Sequence, residues 1–403
     1  MSTVTTTTPA VPRFARRMQG VSNELASILA LSAGSGLISF AGGLPDPRTF
    51  PVAVLEELSG ALLRDDPAVA LQYTPTPGLP GLREAFRDRL EQTDGHRPAW
   101  EELMVTSGTI DAISLLARAL VDPGDVVAME SPTYLGAIDA FRGVEGEVRG
   151  VPLDEEGIDV AAFEQLCRTA PPKLLYTVPD HQNPTGITMS EERRRRLLDL
   201  CREHGVVVLE DVAYRELSFT PRRPPSLWSI APEVVVQAAT TSKTFFPGVR
   251  LGWAVGPAPV IEQMVVAKQN SDQCAGGFGQ RLLEEYLRGG HMDPQLQRSN
   301  ALYKRRCELM LASLETHLPD GVTWNRPGGG FFIWLTLPDS IDTVALARRA
   351  RDAGVAFVPG RPFHPDGTGL NTMRLAFSLA DDGVIDEGVE RLGALIRSAM
   401  EAQ

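Results

Sequence analysis

The feature that most constrains the fold is a series of short, almost wholly apolar runs that alternate with helical patterns between residues 103 and 255. Strands that are apolar along their whole length are buried on both faces, which is typical of a parallel sheet covered by helices. The sequence therefore predicts an α/β fold. The apolar runs are residues 103–106, 126–129, 174–178, 206–209, 234–236 and 251–255.

After about residue 290 the pattern changes to a long charged helix followed by well-separated strands, which predicts a smaller α+β domain. An amphipathic pattern over residues 13–31 predicts a helix near the N-terminus. The predicted organisation is a disordered tail at 1–12, an N-terminal segment at 13–45 that contributes to the small domain, a large domain at 46–290 and a small C-terminal domain at 291–403.

Composition excludes several classes of function. The 403 residues are 43% hydrophobic and 22% charged, as in ordinary soluble proteins. The net charge of −12 argues against binding to nucleic acid or to an anionic membrane. No signal peptide and no apolar run near the roughly 20 residues of a membrane span is present. We predict a cytoplasmic protein, and the scattered cysteines and histidines predict no metal site.

Polar side chains follow several of the predicted strands at the points where they end. Ser107-Gly108-Thr109 follows the first strand and opens a helix, whose free N–H groups suit a phosphate. Asn183, Asp211 and Lys243 follow three later strands. Ligands of open α/β sheets bind at the carboxyl ends of the strands, so we expect these groups to share one site.

Lys243 lies in the stretch from Thr240 to Arg250 and is one of few lysines in a chain whose basic residues are mostly arginines. A lysine that acts as an amine nucleophile must be desolvated or close to other cations. Hydroxyl groups and an arginine beside such a lysine suit an aldehyde cofactor that carries a phosphate. A solvated lysine in a surface loop is the alternative interpretation of this stretch alone.

Across nearly its full length the chain resembles the fold-type I, class I/II aminotransferases that use pyridoxal phosphate, within the branch of 2-aminoadipate and kynurenine aminotransferases and the catalytic half of MocR regulators. The resemblance implies a large domain with a mostly parallel seven-stranded sheet and a smaller α+β domain. The matching motifs are Phe40-Ala41-Gly42-Gly43-Leu44-Pro45, Gln72-Tyr73-Thr74-Pro75, Gln182-Asn183-Pro184-Thr185-Gly186, Asp211 with Tyr214, Ser242-Lys243, Pro247-Gly248-Val249-Arg250 and Met373-Arg374-Leu375.

The resemblance also implies a role for each matching residue. Lys243 forms the covalent link to the cofactor, Asp211 pairs with the ring nitrogen, and Arg374 holds the substrate carboxylate. Further cofactor ligands are expected at Asn183, Tyr214, Tyr134, Gly108, Thr109, Thr240, Ser242 and Arg250, and further substrate contacts at Asn183, Gly43 and Asn23.

The implied reaction moves the α-amino group of an L-amino acid to a 2-oxo acid by a ping-pong mechanism. The freed amine of Lys243 carries the proton between the substrate Cα and the cofactor. Tyr73 is expected to reach the phosphate bound by a partner subunit, so the resemblance implies a homodimer.

Three departures from the family pattern concern the substrate. Asn23 lies near the position where relatives that take acidic side chains have an arginine. A second departure is Ile110, followed by Asp111, directly after the Ser-Gly-Thr motif. The third is Asp180-His181, which directly precedes the Gln-Asn-Pro motif. With Asp272 also expected near the cleft, these residues favour a donor with a cationic or polar side chain, such as an arginine-derived amino acid. Solvated surface aspartates are the alternative for each position, and we expect His181 to pack rather than to act as a base.

Other functions on the same fold stay open. The cofactor motifs would serve a 2-aminoadipate or aromatic aminotransferase, or a pyridoxal-phosphate oxidase or lyase, equally well. A MocR-type regulator is disfavoured, because only about a dozen polar residues precede the first predicted helix and the chain is acidic.

Overall fold

The computed structural model describes residues 13–15, 17–18 and 36–402. Most of the helix predicted over 13–31, together with Asn23, lies outside the described residues. The described part of the chain contains thirteen α-helices: α1 (Val52–Asp65), α2 (Pro67–Ala70), α3 (Pro80–Asp94), α4 (Thr109–Leu120), α5 (Leu135–Gly143), α6 (Val160–Thr169), α7 (Glu191–His204), α8 (Leu227–Ile230), α9 (Ala258–Gln269), α10 (Gly277–Arg288), α11 (Met292–His317), α12 (Thr343–Asp352) and α13 (Asp382–Glu401).

The strands form three sheets among the described residues, of which the largest has eight strands. The strands in chain order are β1 (Ile38–Ser39), β2 (Leu103–Thr106), β3 (Val126–Ser131), β4 (Glu147–Asp154), β5 (Gly157–Ile158), β6 (Leu174–Thr177), β7 (Val207–Asp211), β8 (Val235–Thr240), β9 (Gly252–Val255), β10 (Thr323–Trp324), β11 (Phe332–Thr336), β12 (Val355–Ala356), β13 (Val358–Pro359) and β14 (Thr372–Ala376).

The large sheet has the strand order β2-β9-β8-β7-β6-β3-β4-β5. Strands β4, β3, β6, β7 and β8 run parallel to one another, whereas β9 is antiparallel to both β8 and β2. Every residue of β2 and β6 is buried, as expected for strands covered by helices on both faces. The predicted α/β class is confirmed.

The strand count differs slightly from the seven expected. Seven longer strands are present, and the two-residue strand β5 pairs antiparallel with the end of β4 as an eighth. Strand β4 does not appear among the apolar runs of the sequence. Most of its residues are exposed or half-buried, because it lies near the edge of the sheet, and its charged and glycine residues hide the strand pattern.

The C-terminal part of the chain forms a separate four-stranded antiparallel sheet with the order β10-β11-β14-β13. The segment before residue 45 joins this part, since β1 pairs parallel with β12 and the Ala376 amide donates to the Phe40 carbonyl. The predicted division at residues 45 and 290 stays a prediction. Among the described residues, no helix has the length and apolar content required to cross a membrane.

Candidate active site

The candidate active site lies where the carboxyl ends of the central parallel strands meet the small sheet. Lys243 follows strand β8, Asp211 ends strand β7, and Asn183 follows strand β6. The small sheet contributes Arg374 from the middle of β14. The Nη1 atom of Arg374 donates to Oδ1 of Asn183 at 2.8 Å, so residues 191 positions apart in the chain share one site.

The amine of Lys243 is surrounded by backbone and aromatic rings. Its Nζ donates to the carbonyl of Gly43 at 2.9 Å and lies 5.9 Å from the ring centre of Tyr214 and 5.8 Å from that of Phe331. Burial, with the guanidinium charges of Arg374 and Arg250, lowers the pKa of Lys243 to about 8, although the Asp211 carboxylate acts in the opposite direction. The neutral fraction of this amine near physiological pH is therefore far larger than that of an ordinary lysine, as a nucleophile requires.

Asp211 is a buried carboxylate held in a fixed orientation. It accepts hydrogen bonds from the Tyr176 hydroxyl at 2.8 Å and from the Ala213 amide at 3.0 Å. Burial raises the pKa of Asp211 to about 6, and these two hydrogen bonds and the charge of Lys243 limit the rise. Such a group is suited to pair with a protonated ring nitrogen, because a cation would relieve the cost of burying the carboxylate.

Two tyrosines lie close enough to Asp211 for its charge to act on them. Tyr214 is buried, and burial raises its phenol pKa, while Arg374 and a hydrogen bond with Asn183 act to lower it. Tyr134 lies immediately before helix α5, and burial raises its pKa to about 12, with Asp211 acting in the same direction. Both phenols are therefore neutral hydrogen-bond donors at neutral pH.

Hydroxyl groups, backbone amides and a guanidinium converge at the start of helix α4. Gly108 has φ of 95° and precedes the first residue of the helix, Thr109. Oγ1 of Thr240 donates to Oγ of Ser242 at 2.9 Å, and Nη1 of Arg250 donates to the same Ser242 oxygen at 3.2 Å. A helix N-terminus with an arginine and hydroxyl groups provides the donors that a phosphate needs.

Arg374 is a buried guanidinium stacked against two aromatic rings. It is 5% exposed, and its Cζ lies 4.2 Å from the ring centre of Phe332 and 4.9 Å from that of Phe363. Its Nη2 donates to the Ala41 carbonyl at 2.9 Å, and burial lowers its pKa to about 10. No carboxylate pairs with it among the described residues, so it is available to bind an anionic group of a ligand.

Gly43 brings its backbone close to the site because it has no side chain. A Cβ atom at this position would lie 2.5 Å from Cζ of Phe332, well inside contact distance. The glycine therefore allows the carbonyl of residue 43 to reach Lys243 while the Phe332 ring stacks on Arg374.

Tyr73 does not join this group of residues within the single subunit. Tyr73 is 80% exposed, and no hydrogen bond connects its side chain to the residues around Lys243 in the part of the chain that the structure describes. Asn23 lies outside the described residues, so the side-chain contact predicted for it stays a prediction.

The structure overturns the expectation that three aspartates present free negative charge to the substrate. Asp180 is 1% exposed and pairs with Arg194 at 2.7 Å and with Arg215 at 2.9 Å. Burial alone would raise the pKa of Asp180, but the two arginine charges outweigh it and hold the pKa well below its usual range. Asp111 and Asp272 each pair with the buried ammonium of Lys268 at 2.8 Å. These carboxylates are satisfied by internal cations that the sequence pattern did not reveal.

His181 is buried beside the loop that carries Asn183 and packs as expected. Its Nδ1 lies 3.1 Å from the Thr188 hydroxyl, and its ring occupies the space that a Cβ on Gly329 would enter. Burial lowers the pKa of His181 to about 4, although the Asp180 charge opposes this. The imidazole is therefore neutral at physiological pH and serves packing.

Two buried polar residues near the site were missed in the sequence. Tyr176 donates to Asp211, and Glu130 accepts from the Val178 amide at 3.1 Å and from the Gln182 side-chain amide at 3.0 Å. Burial raises the pKa of Glu130 to about 6. The available signal was a polar side chain inside or just after an otherwise apolar strand, because such a residue needs a buried partner.

A cavity of about 690 Å³ is lined in part by the loop that follows Asn183. Thr185, Arg223 and Trp324 are among its lining residues, whereas Lys243 and Arg374 are not. The chemistry described above therefore does not lie in this cavity. Among the described residues, no group of three or more histidine, cysteine or acidic side chains is arranged to hold a metal ion.

The unpaired donors of the site fit pyridoxal phosphate. The buried Oγ1 of Thr109 and Nε of Arg374 have no hydrogen-bond partner within the described chain. The position of a Cβ on Gly108 is only 3.2 Å from Nη2 of Arg250, so the missing side chain leaves space in front of the guanidinium. Together with the amine of Lys243 and the carboxylate of Asp211, these groups match the phosphate, aldehyde and ring nitrogen of the cofactor.

Comparison with known proteins identifies the family. The family model described as "Aminotransferase class I and II" matches residues 35–392. The aromatic-amino-acid aminotransferase 1 of Thermococcus litoralis is 37% identical over 396 residues, which cover 96% of this chain and 95% of that protein. The 2-aminoadipate transaminase of Thermus thermophilus is 38% identical over 382 residues, with 94% of each chain covered.

A solved structure gives the same result at the level of the fold. The crystal structure of LysN, the α-aminoadipate aminotransferase of Thermus thermophilus, superposes with a TM-score of 0.90 at 37% identity and covers 97% of this chain and 98% of its own. That structure contains N-(5'-phosphopyridoxyl)-L-leucine. The chain therefore belongs to the class I and II aminotransferases and is a pyridoxal-phosphate-dependent aminotransferase of fold type I.

Proposed function

We propose that Lys243, Asp211 and the residues around them hold pyridoxal phosphate in the roles that the family resemblance implies. Lys243 provides the amine for the aldehyde carbon, and Asp211 provides the carboxylate for the ring nitrogen. Gly108, Thr109 and Arg250, with Thr240 and Ser242, provide the donors for the phosphate. When bound, the cofactor supplies a conjugated ring that accepts the electron pair left at the substrate Cα. The observation that carries this assignment is the position of the Lys243 amine, which follows strand β8, bonds to the Gly43 carbonyl and has a pKa lowered to about 8.

We infer that Lys243 moves the proton of the reaction. A general base works best when its pKa lies near the operating pH, and the pKa of about 8 meets this condition far better than that of an ordinary lysine. The Gly43 carbonyl that accepts from Nζ provides a fixed resting position for the amine. The rings of Tyr214 and Phe331, whose centres lie 5.9 Å and 5.8 Å from it, limit its contact with water.

Arg374 orients the substrate by its α-carboxylate in this proposal. Its Nη1 and Nη2 atoms already point to fixed acceptors, on Asn183 and Ala41, so the guanidinium plane is set before substrate arrives. A planar guanidinium binds a carboxylate through two parallel hydrogen bonds, which fixes the direction of the Cα–H bond relative to Lys243. Asn183 also lies beside the Tyr214 hydroxyl, so it can assist in binding both the cofactor and the substrate carboxylate.

The donor amino acid that fits best has an apolar or aromatic side chain. The aspartates that favoured a cationic side chain are already paired with internal arginine and lysine side chains. The side chains that surround Arg374 and Lys243 include the rings of Phe332, Phe363 and Tyr134. The names of the Thermococcus litoralis relative and the leucine adduct in the Thermus thermophilus structure support this choice.

We further propose a cytoplasmic homodimer. Tyr73 is 80% exposed and Leu71, two residues before it, is 66% exposed, so an apolar and a phenolic side chain lie uncovered on the single subunit. A partner subunit that covers this surface would receive the Tyr73 hydroxyl, as the family resemblance implies. Replacement of Tyr73 by Phe should weaken cofactor binding only in the associated form, and sedimentation at several protein concentrations measures that association.

The half-reaction with single amino acids tests the proposed function directly. The purified, cofactor-loaded protein is mixed with phenylalanine, leucine, 2-aminoadipate, arginine or lysine in the absence of any oxo acid, and the visible absorbance is followed. We expect rapid conversion with phenylalanine and leucine and slow conversion with arginine and lysine. Faster conversion with the basic amino acids would contradict the proposed donor class.

Two controls separate the donor class from the reaction type. The Lys243→Ala variant should show no turnover, whereas the Arg374→Leu variant should convert all amino acids slowly and lose its preference for α-carboxylates over the corresponding amines. Continuous turnover with oxygen consumption and no oxo-acid acceptor would show an oxidase on the same fold. In that case the site assignment would hold and the proposed reaction would not.

A further inference from the structure

A second buried lysine lies beside the loop that we assign to the cofactor phosphate. Lys268, near the end of helix α9, is 0% exposed. Its Nζ donates to Asp111 at 2.8 Å, to both carboxylate oxygens of Asp272 at 2.8 Å, and to Oγ of Ser107 at 3.3 Å. These four residues form the Lys268 cluster, and none of them takes part in the chemistry proposed above.

The Lys268 cluster holds Ser107 through several of its polar groups. The backbone amide of Ser107 donates to Oδ2 of Asp111 at 2.8 Å, and its hydroxyl donates to Oδ2 of Asp272 at 2.6 Å. On the opposite side, Nη2 of Arg250 donates to the Ser107 carbonyl at 3.4 Å. Ser107 directly precedes Gly108, so its position determines where the amides at the start of helix α4 point.

The charge of the cluster has the wrong sign for direct attraction of a phosphate. One ammonium and two carboxylates carry a net negative charge, and a phosphate dianion nearby would be repelled by it. Lys268 itself is enclosed and already makes hydrogen bonds to three side chains, which leaves it little capacity to reach a ligand. Any favourable effect of the cluster on phosphate binding must therefore come from the geometry that it imposes.

We propose that Lys268 is a positioning residue for the cofactor phosphate. It keeps Asp111 and Asp272 in place against Ser107, and the two aspartates fix the backbone that presents Gly108 and Thr109. Preorganised donors bind more tightly because the cost of ordering them is met during folding. The inference rests on the proposed role of Gly108 and Thr109 in holding the phosphate.

Cofactor affinity with and without the phosphate tests the proposal. The cofactor-free Lys268→Met variant is titrated with pyridoxal phosphate and with pyridoxal, which lacks the phosphate. We expect the Kd for pyridoxal phosphate to rise at least about tenfold, which is about 1.4 kcal/mol, and the Kd for pyridoxal to change less than about twofold. An equal rise in the Kd for both ligands would indicate general damage to the binding site and would overturn the proposal.

The matched control is Lys173→Met. Lys173 also lies between two aspartates, Asp125 at 2.7 Å and Asp122 at 3.7 Å, but it precedes strand β6 and therefore lies at the opposite end of the sheet. This variant should leave both dissociation constants unchanged. If Lys173→Met weakened the binding of pyridoxal phosphate as much as Lys268→Met does, the effect would not be specific to the phosphate loop.

Two variants of Asp272 separate geometry from charge. Asp272→Asn removes a negative charge and keeps an oxygen that accepts from the Ser107 hydroxyl, whereas Asp272→Leu removes both. If positioning dominates, the Leu variant binds pyridoxal phosphate at least about fivefold more weakly than the Asn variant. If charge dominates, both variants bind more tightly than the wild type, and the proposal is wrong.

Thr109→Val distinguishes failure of this inference from failure of the proposed function. If Thr109→Val weakens the binding of pyridoxal phosphate and Lys268→Met does not, the proposed phosphate site is supported and the positioning role of Lys268 is wrong. If neither variant weakens pyridoxal phosphate relative to pyridoxal, the phosphate is held elsewhere and both proposals fail.

Discussion

Replacing Lys243 by methionine should stabilise the cofactor-free protein while it abolishes activity. The fold lowers the pKa of this amine from 10.5 to about 8, chiefly through burial. Below pH 8 the lysine is protonated in both the folded and the unfolded chain, so the folded state carries the full cost of burying a charge beside two guanidinium groups. Methionine has a similar length and carries no charge, which removes this cost.

The magnitude follows from the two pKa values. Their difference corresponds to about 3 kcal/mol of destabilisation at pH 7. Between pH 8 and 10.5 the unfolded chain binds more protons than the folded chain, so the stability of the wild type rises with pH across this window. The advantage of the methionine variant should therefore fall to about 1.4 kcal/mol at pH 9.5 and vanish above pH 10.5.

Urea unfolding of both cofactor-free proteins at pH 7 and pH 9.5, at one protein concentration, measures this difference. Lys173→Met is the control, because Lys173 is exposed and paired with Asp125, and its removal should cost up to about 1 kcal/mol. Equal stability of the wild type and the Lys243 variant at pH 7 would refute the reasoning. A gain in the free energy of unfolding that is the same at pH 7 and pH 9.5 would refute it as well.

Three further predictions concern neighbouring residues. Arg374→Leu should lower kcat/KM for amino acids by about 100-fold, through the loss of charged hydrogen bonds. Because the Arg374 charge lowers the pKa of Lys243, the same variant should also shift the pH at which cofactor-free Lys243 reacts with pyridoxal phosphate upward from about 8. Asp180→Asn leaves the buried Arg194 without a carboxylate, whereas Arg215 keeps Asp94 at 3.2 Å, and should cost about 3 kcal/mol in urea unfolding, without changing the ranking of donor amino acids. Gly43→Ala should lower the melting temperature and activity, because its Cβ would lie 2.5 Å from the ring of Phe332; wild-type behaviour would contradict this.

Most of the candidate site could be predicted from the sequence because its residues follow a simple rule. A polar group at the end of a buried parallel strand must lie at the edge where ligands bind, and Asp211 and Lys243 both stand there. Arg374 could not be found by this rule. It lies in the middle of a strand of the other sheet, and only the motif resemblance drew attention to it.

The surroundings of the aspartates could not be predicted for a different reason, namely that charge pairing acts over long sequence distances. Asp111 and Lys268 are 157 positions apart and still form one ion pair. A single sequence shows an aspartate near a motif but not the cation that satisfies it. An unpaired buried carboxylate would be costly, so the presence of a partner should be expected whenever such an aspartate falls in a buried segment.

The electrostatics of the site suggest a functional reason for placing Lys243 and Arg374 close together, although their repulsion lowers the free energy of unfolding. Arg374 is the largest charged contributor to the lowered pKa of Lys243, and Asp211 is the group that opposes it. A substrate carboxylate at Arg374 would offset the guanidinium charge and raise the proton affinity of Lys243. The amine would thus be a good nucleophile before substrate binds and a stronger base once the Cα proton is in reach. The instability of the cofactor-free site and its reactivity have the same physical cause.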